Sequence, residues 1–324
     1  MSITNGNIPR IMKIHQLRAL VEVAATGTLK GAAYRLHVTQ PAVTKAIREL
    51  EDEFGVRLFE RNPWGVVPTP EGVALLQRAR TVVREMERAE EDLAHMKGRR
   101  EGRLVIGVSP IAGTAGLAEA FVEFRRRWPH VTIEFVELGL NQLREQLRNR
   151  AVDLAFAAFP VNPVSPGEDG AQVKALLAFD AVFVTRANGP FARASSLAQL
   201  QDAEWIHTDV TDNYPGYIHA MFERAGLEPP RRVTRCTSYG LFYGLTVRSD
   251  AVFAWTRHSL EEAELGRAFV ELKVEEQPPS LQLYLFSAPE AQLTRPAEYF
   301  VDCILDVTAQ RMGQPRTGGF ASAD

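Results

Sequence analysis

The segment TLKGAAYRLHVTQPAVTKAIRELEDEFG, residues 28–55, gives the clearest indication of the fold of the N-terminal part of the chain. It contains two helical repeats of apolar residues, separated by a break at His37 and Val38. Thr28 and Thr39 stand immediately before the two repeats, where short polar side chains cap helices, and Gly55 ends the second repeat. The apolar positions are Leu29, Ala32, Ala33 and Leu36, then Val43, Ile47, Leu50 and Phe54. The stretch predicts two short helices joined by a tight turn.

The residues on either side of this stretch predict a third helix and a small hairpin. Apolar residues at helical spacing begin at Ile14, and Gly27 ends the pattern. Three short helices with a break before the last are typical of a helix-turn-helix. Two short extended segments, 56–60 and 65–68, then flank the turn-forming residues 62–65. We therefore expect the β-hairpin, or wing, of a winged helix-turn-helix.

A long helix is predicted from Thr69 and Pro70 to about Arg99. Apolar residues recur along it at the seven-residue spacing of paired helices, with charged residues between them. A helix of about thirty residues rarely stays unpaired, so the pattern favours a dimer. The alternative is a single amphipathic helix that packs on its own body. The residues expected to face a second copy of the chain are Leu76, Ala79, Val83, Met86 and Leu93.

The composition excludes several classes of protein. The chain has 324 residues, 45% of them hydrophobic and 24% charged, which is enough for two or three domains. Its apolar runs are too short to span a bilayer, and the first dozen residues lack the apolar core of a secretion signal. Only two cysteines occur, Cys236 and Cys303, which excludes a disulfide scaffold and suits a reducing compartment. We expect a cytoplasmic protein.

The charge is divided unevenly along the chain, although the net charge is only −3. Residues 1–70 carry nine Lys and Arg against six Asp and Glu. Residues 104–324 carry twenty against twenty-seven. A mildly basic head on an acidic body is typical of a DNA-binding module joined to a separate sensing module.

Strand and helix patterns alternate after a charged hinge at residues 98–102. This alternation predicts an α/β body with a parallel sheet and helices on both faces. A loop rich in Pro, Gly and Ser follows at 160–170, and the polar tail at 311–324 is expected to be disordered. The first predicted strands and helices cover, in order, residues 103–108, 117–128, 131–138, 140–150 and 153–159.

The sequence contains no specific catalytic or metal-binding motif. Its seven histidines show no H-x-H or H-E-x-x-H spacing, and neither G-x-S-x-G nor G-K-[ST] occurs. Gly107, Gly113 and Gly116 do not match the dinucleotide-binding fingerprint. We therefore expect no enzyme activity, no cofactor and no bound metal.

The second helix of the deciding stretch carries a polar face that could read DNA. Amide and hydroxyl groups near a helix N-terminus can reach base edges, and cations can bind phosphate or guanine. Thr28 and Thr39 could hold phosphates at helix N-termini. The alternative is a solvated helix face with two ordinary caps, but the hairpin and pairing helix that follow favour DNA binding. The polar face consists of Gln40, Thr44, Lys45 and Arg48.

Several short motifs follow one another in a fixed order along the chain. They are LKGAA at 29–33, LHVTQPAVTKAI at 36–47, LE at 50–51, Gly55, LFER at 58–61 and TPEG at 69–72. This set closely resembles the head of the LysR-type transcriptional regulators. The body is similar to that family through VTIE at 131–134 and VDLA at 152–155. The resemblance extends from about residue 13 to 310.

The resemblance implies an α/β fold with an N-terminal winged helix-turn-helix, a long dimerising linker helix and an effector-binding domain. The effector-binding domain would have two lobes, like a periplasmic binding protein. The implied ranges are a flexible extension at 1–12, the DNA-binding domain at 13–70, the linker helix at 71–99 and the effector-binding domain at 100–310. Within that domain, lobe 1 would comprise about 103–177 and 281–310, and lobe 2 about 178–280.

The resemblance also implies which residues contact DNA, and two positions depart from the family pattern. The implied contacts on the helix are Gln40, Pro41, Thr44 and Lys45, and Arg61 would grip phosphate from the wing. Lys45 stands where the family often has Arg. Lysine cannot make the bidentate hydrogen bonds by which arginine recognises guanine. The wing residues 62–65 lack the usual cations.

An effector would bind between the two lobes, at the ends of strands and the N-termini of helices. For the polar residues at these places the alternative is an ordinary helix cap, and for Phe159 and Trp255 it is a place in the core. The residues expected to contact the effector are Ser109, Pro110, Asn141, Phe159, Thr208, Trp255 and Thr256.

The sequence thus predicts a transcriptional regulator that binds operator DNA as a homodimer or homotetramer. Its effector would be a small organic molecule, with an organic anion expected. RNA polymerase is a further candidate partner, and no membrane partner is expected. The alternative is a soluble small-molecule receptor whose head mediates protein contact rather than DNA binding.

Overall fold

The computed structural model describes residues 12–63, 65–96, 101–114, 116–160, 171–208, 216–261, 265–288 and 293–312. The chain divides into two compact units. The first, called the head, runs to Arg99 and includes the short segment Asn149–Ala151. The second, called the body, comprises Arg100–Arg148 and the residues from Val152 onward. Most of the expected N-terminal extension and C-terminal tail, and the loop at 161–170, lie outside the described residues.

The head consists of four helices and one hairpin. Its elements are α1 (Ile14–Thr26), α2 (Leu29–Arg35), α3 (Gln40–Phe54), β1 (Phe59–Asn62), β2 (Gly65–Pro68) and α4 (Pro70–Met96). Gly27 and Gly55 end α1 and α3 in the left-handed conformation, with φ of 65° and 67°, which glycine adopts without strain. His37 also has a positive φ, 54°, and forms the tight turn between α2 and α3. The predicted three-helix order is confirmed.

The core of the head gathers the apolar faces of its four helices. The buried residues of α1 and α3 include Leu20, Val23 and Leu50, each nearly inaccessible to solvent. The first half of α4 adds Leu76, Ala79 and Val83 to the same cluster. Burying a Leu or Val side chain contributes about 1.5–3 kcal/mol, so this cluster is a large source of stability for the head.

The hairpin is fixed to the rest of the head by backbone hydrogen bonds. Val66 N donates to Gly27 O over 2.9 Å at the start of β2. Gly65 has a φ of +140°, and a Cβ there would collide with the carbonyl oxygen of Gly27. At the other end, the buried Glu51 accepts a 2.9 Å hydrogen bond from Leu58 N through Oε1. The wing therefore has a defined position relative to α3.

The body contains ten strands and seven helices among the described residues. In its first part these are β3 (Glu101–Val108), α5 (Leu117–Arg127), β4 (His130–Glu137), α6 (Leu140–Arg148), β5 (Leu154–Pro160) and β6 (Gln172–Phe179). Its middle part contains β7 (Ala181–Arg186), β8 (Glu204–His207), α7 (Gly216–Arg224), β9 (Arg232–Arg235), α8 (Tyr239–Thr246), β10 (Phe253–Thr256), α9 (Arg257–Glu261), α10 (Leu265–Ala268) and β11 (Phe269–Glu271). The last part is β12 (Leu281–Ser287) and α11 (Arg295–Met312).

Lobe 1 of the body is built on a five-stranded sheet in the order β4-β3-β5-β12-β6. β3, β4 and β5 are parallel, as the alternating pattern predicts, but β12 is antiparallel to both of its neighbours. The prediction of a parallel sheet is therefore wrong for β12. The reason is that β12 returns from the other lobe and enters the sheet from the opposite end. Helices α5 and α11 cover one face, where Phe124 and Phe300 pack edge to face.

Lobe 2 contains an antiparallel sheet in the order β10-β7-β11 and a parallel pair, β8 and β9. Trp205 of β8 is fully buried at the centre of its core. Its ring meets Phe183 and Phe222 edge on, at centroid distances of 5.3 Å and 5.4 Å, and its Nε1 donates to Leu200 O. The indole N–H is thus satisfied although the ring lies in an apolar core.

The chain passes between the lobes at two neighbouring places. β6 ends at Phe179 in the first sheet, and β7 begins at Ala181 in the second. The chain returns at Leu281, which pairs with Phe179 on one side and Pro160 on the other. The sequence patterns did not predict β9, β11 or the helices α9, α10 and α11, because these elements are short or lack clear periodicity.

Candidate functional site

Helix α3 presents a polar face to solvent and an apolar face to the core of the head. Val43, Ile47 and Leu50 are buried, whereas Lys45 and Arg48 are exposed on the opposite side. Gln40 and Pro41 of the first turn are also exposed. Thr44 is half-buried, and its hydroxyl donates to Gln40 O over 3.0 Å. The polar residues predicted on α3 therefore form one continuous face.

The two predicted threonine caps behave differently. Thr28 accepts a 3.0 Å hydrogen bond from Gly31 N through its hydroxyl, as an N-cap does. Thr39 precedes α3 in an extended conformation, but its side chain makes no cap hydrogen bond. Its carbonyl oxygen instead accepts from Ala42 N over 3.0 Å. Thr39 is the N-cap residue of α3, as predicted, but the expected side-chain hydrogen bond is absent, and its hydroxyl is exposed next to Gln40.

The cations on this surface are held only weakly. Lys45 lies 3.8 Å from Glu49, one turn along α3, and its side chain is 78% exposed. An exposed pair of this kind contributes about 0.2–1 kcal/mol, so Lys45 can readily exchange it for another anion. The side chain of Arg61 and the whole of Trp64 lie outside what the structure describes.

The long helix α4 uses part of its predicted pairing surface inside the head. Leu76, Ala79 and Val83 are at most 8% exposed and pack in the core of the head. They are not available to a partner helix, which corrects the expectation for these three residues. Met86 and Leu93 are exposed, and so is Val82. With Ala89 they share one side of α4, because they lie four, seven and eleven residues after Val82.

The strand ends of lobe 1 carry four of the predicted effector contacts, and most of these are buried. Ser109 follows β3 and is fully buried. Its hydroxyl accepts a 3.1 Å hydrogen bond from Ala158 N, and its own amide donates to Phe156 O. These bonds argue against direct effector contact by Ser109. Pro110 is buried as well, whereas Asn141 at the start of α6 is exposed. Phe159 is buried and stacks on Tyr284 at 4.5 Å.

The predicted contacts in lobe 2 lie at the ends of β8 and β10. Thr208 is half-buried directly after β8. Trp255 is 5% exposed and packs among the rings of Phe242, Phe253 and Phe269. The hydroxyl of the buried Thr256 lies 2.7 Å from that of Ser259. Trp255 and Thr256 thus have structural roles in this conformation.

One residue at the junction of the lobes was missed by the sequence analysis. Glu137 ends β4 in lobe 1, and its Oε1 accepts a 3.3 Å hydrogen bond from Tyr239 N, the first residue of α8 in lobe 2. A carboxylate at this place is favoured by the partial positive charge of the helix N-terminus. Neither a motif nor a spacing in the sequence indicated Glu137, because it follows an ordinary strand pattern.

The groups with clearly shifted pKa values lie on α11. Burial raises the pKa of the Cys303 thiol from its ordinary 9.0 to about 11, and it also raises the pKa of Tyr299 beside it. Burial raises the pKa of Glu298 as well. In the part of the chain that the structure describes, no group of three or more metal-ligating side chains occurs.

Two family profiles match the chain. One, described as bacterial regulatory helix-turn-helix protein, lysR family, matches residues 14–73. The other, described as LysR substrate binding domain, matches residues 97–309. The chain belongs to the LysR family of transcriptional regulators. This LysR family regulator therefore combines a helix-turn-helix head that binds DNA with a body that binds an effector.

Regulators of several bacteria are relatives of this LysR family member. The transcriptional regulator GbpR of Azospirillum brasilense is 26% identical over 249 residues, which cover 76% of this chain and 72% of GbpR. The regulator TdcA of Escherichia coli K12 is 24% identical over 238 residues, which cover 74% and 75% of the two chains. The matched relatives are thus named as regulators, not as enzymes.

Solved structures share the fold of this LysR family regulator. A full-length OxyR variant of Pseudomonas aeruginosa has a TM-score of 0.67 at 19% identity, with coverage of 93% of this chain and 95% of that chain. ArgP of Mycobacterium tuberculosis has a TM-score of 0.64 at 20% identity, covering 95% and 100%. CbnR in complex with its target DNA has a TM-score of 0.61 at 22% identity, covering 91% and 100%.

Among the described residues, no helix combines the length and the apolar character that crossing a membrane requires.

Proposed function

We propose that α3 enters the major groove of an operator and that its exposed polar face contacts base edges and phosphates. The observation that carries this proposal is the division of α3 into a buried apolar side and an exposed side with Gln40, Lys45 and Arg48. Gln40 would read a base edge near the helix N-terminus. Thr44 would contact a base or the backbone beside it, and Lys45 and Arg48 would bind phosphate or guanine.

The remaining DNA contacts follow from the ends of the helices and from the wing. Thr28 and Thr39 would meet phosphates at the N-termini of α2 and α3. Pro41, exposed in the first turn of α3, would pack against the sugar or base beside Gln40. Arg61 would add a phosphate contact from the wing.

Substitution of Arg48 tests the assignment of this face. Arg48 is exposed and makes no hydrogen bond or ion pair with the described residues, so Arg48→Ala should leave the fold intact. We expect about a five- to tenfold loss of DNA affinity and a salt dependence shallower by about 0.9 per head. The measurement is fluorescence anisotropy with the full-length protein and a duplex enriched from a randomised pool, at four salt concentrations.

The matched control is Arg35→Ala on α2, another exposed arginine, which forms a 3.3 Å ion pair with Glu22 of α1 and is not part of the polar face of α3. This variant should bind like the wild type. Equal binding by both variants would refute the assigned face. Failure of the wild type to enrich any duplex would instead favour a small-molecule receptor whose head mediates protein contact.

The regulator would bind DNA as a homodimer or homotetramer. An apolar stripe on α4, formed by Val82, Met86, Ala89 and Leu93, is exposed and has the spacing of a helix-pairing surface. A symmetric dimer would place two heads on a partly palindromic operator. Replacing Met86 and Leu93 by Glu should yield monomers in sedimentation experiments.

The effector would be a small organic molecule bound between the lobes, with organic anions as the first candidates. Of the expected contacts, Asn141 and Thr208 remain accessible, whereas Ser109, Pro110, Phe159, Trp255 and Thr256 are buried in this conformation. Binding would therefore require the lobes to separate. A ligand at a hundred times its dissociation constant adds about 2.7 kcal/mol of stability, so thermal-shift screening of organic acids would detect it.

The remaining features of the proposal follow from the role of a DNA-binding regulator. The domains would lie at 13–70, 71–99 and 100–310, with lobe 2 at about 178–280. The protein would act in the cytoplasm, where the chromosome lies, and contact RNA polymerase at its promoters. It would do so without catalysis, cofactor or metal.

A further inference from the structure

A buried glutamine joins α1 to α3 within the head. Gln16 of α1 is 3% exposed, and its Nε2 donates a 2.9 Å hydrogen bond to Oε2 of Glu49. Its Oε1 accepts from Lys13 N, also over 2.9 Å. Both ends of the side-chain amide are therefore bonded, and turning it over would place Oε1 against the carboxylate of Glu49. Gln16 thus holds that carboxylate in place.

Glu49 also lies beside a cation of the polar face of α3. Its other oxygen, Oε1, is 3.8 Å from Nζ of Lys45, one turn earlier on the helix. The side chain of Lys45 is 78% exposed, and an exposed pair of this kind is weak. The two partners therefore differ in freedom. Lys45 can turn into solvent, whereas Glu49 is tied to the buried Gln16.

This difference in freedom matters when DNA approaches α3. Binding to a sequence other than the operator rests on phosphate contacts. If Lys45 turned away to a phosphate, the carboxylate of Glu49 would stay behind without a cation, close to the anionic backbone. Like charges at short range repel each other, so part of the gain from the phosphate contact would be lost.

A base contact by Lys45 avoids this loss. A lysine ammonium carries three N–H donors, so one can stay directed at Glu49 while another reaches O6 or N7 of a guanine in the major groove. The fixed carboxylate also limits the rotamers of Lys45, and lysine is among the side chains that lose most freedom when they are ordered. A base contact thus keeps the pair with Glu49, which a phosphate contact breaks.

We propose that Glu49 is a positioning residue that sets specificity: it orients Lys45 toward a base edge and weakens binding to DNA outside the operator. The inference rests on the proposed entry of α3 into the major groove. Glu49 acts through Lys45, and its effect depends on Gln16, which keeps the carboxylate from turning away. Discrimination then comes in part from an unfavourable contact with the wrong DNA.

The test compares Glu49→Gln with the wild type in the full-length protein. Binding is measured by anisotropy at several salt concentrations, with a pool-enriched duplex and with a mixed-sequence duplex of equal length. For the mixed-sequence duplex we expect about fivefold tighter binding and a log–log salt slope steeper by about 0.9 per head, because Lys45 becomes free to bind a phosphate. Affinity for the enriched duplex should rise by no more than about twofold, so the ratio of the two affinities falls.

The matched control is Asp52→Asn, which removes the same charge from the same helix. Asp52 is exposed, and its carboxylate makes no hydrogen bond or ion pair with the described residues. This variant should tighten binding to both duplexes by a similar factor and leave the ratio unchanged, because Asp52 holds no cation in place. Equal changes in the two affinities for Glu49→Gln, as in the control, would overturn the proposal.

A second variant tests the tether itself. Gln16→Met keeps an unbranched side chain of similar length in the buried position but removes the hydrogen bond to Glu49. The ratio of the two affinities should then fall by about twofold, in the same direction as for Glu49→Gln. An unchanged ratio in a Gln16→Met variant that is folded by circular dichroism would contradict the proposal as well. If Arg48→Ala still weakens binding in the same assay, the proposed role of α3 stands independently of Glu49.

Discussion

The polar face of α3, which we propose contacts DNA, and the strand ends of the body differ in how their polar groups are satisfied. On α3, Arg48 has no bond to the described residues and Lys45 has one weak exposed pair. At the strand ends, Ser109 and Thr256 are buried and hydrogen-bonded to protein atoms. The first surface is already free to bind a partner. The second already uses part of its hydrogen-bonding capacity within the fold.

This difference indicates two modes of binding. The head can bind DNA as a nearly rigid surface, since its contacts need only shed water and counterions. If the effector contacts the buried residues proposed above, the body would exchange internal contacts for contacts with the ligand, and we expect binding there to change its conformation. Such a change is what a regulator needs in order to report that the effector is present.

The largest of the expected effects concerns the replacement of Ser109. Ser109→Ala leaves Ala158 N buried without its acceptor, which costs about 1–3 kcal/mol. We expect the melting temperature to fall by several degrees while DNA affinity stays unchanged. The control is Thr237→Ala, which changes an exposed residue of lobe 2. It should have little effect on the melting temperature or on DNA affinity. If Ser109→Ala keeps full stability and loses only the effector response, Ser109 is a ligand contact and the comparison fails.

A smaller effect is expected where Glu137 joins the lobes. Glu137→Gln replaces a charged acceptor of Tyr239 N by a neutral one, a change of about 0.5–1 kcal/mol. The exchange of that amide with deuterium should accelerate about two- to fivefold in mass spectrometry of α8. Glu134→Gln, on the same strand but paired with Arg103 inside lobe 1, is the matched control. Identical exchange in the two variants would show that Glu137 does not couple the lobes.

The smallest effect concerns the buried Cys303. Burial raises the pKa of Cys303 to about 11, so the thiol stays protonated from pH 7 to 9 and thiol reagents should modify it slowly in the folded protein. The pKa of Cys303 in the folded protein exceeds the ordinary 9.0. The stabilisation gained from burying the neutral thiol is therefore complete below pH 9 and is lost as the pH rises toward 11. Rapid modification at pH 7 by a thiol reagent such as Ellman's would contradict the burial of Cys303.

The sequence patterns predicted the structure of the head far more completely than that of the body. Helical spacing and caps locate α1, α2 and α3 because each helix has one apolar side and ends at a recognisable residue such as Gly27 or Gly55. In α4 the same apolar spacing is compatible with two partners. The spacing alone did not distinguish Leu76 and Val83, which pack in the core of the head, from Met86, which is exposed to solvent.

The body was harder to predict because its site depends on contacts that are distant in sequence. The antiparallel β12 enters the sheet more than a hundred residues after β5, and no local pattern gives its direction. Glu137 and Tyr239 are likewise separated by 102 positions. Ser109 was predicted as a contact from its place after a strand, but burial of that place depends on the neighbouring β5.

The adjacency of β6 and β12 has a further consequence for how the family can diversify. Phe179 and Leu281 are cross-strand partners, so the segment between them starts and finishes at almost the same point. Residues 181–280 therefore form a segment that can be replaced without changing the strands of the first sheet or the sequence of the head. Grafting this segment from a relative should change the contribution of lobe 2 to effector binding without altering which DNA is bound.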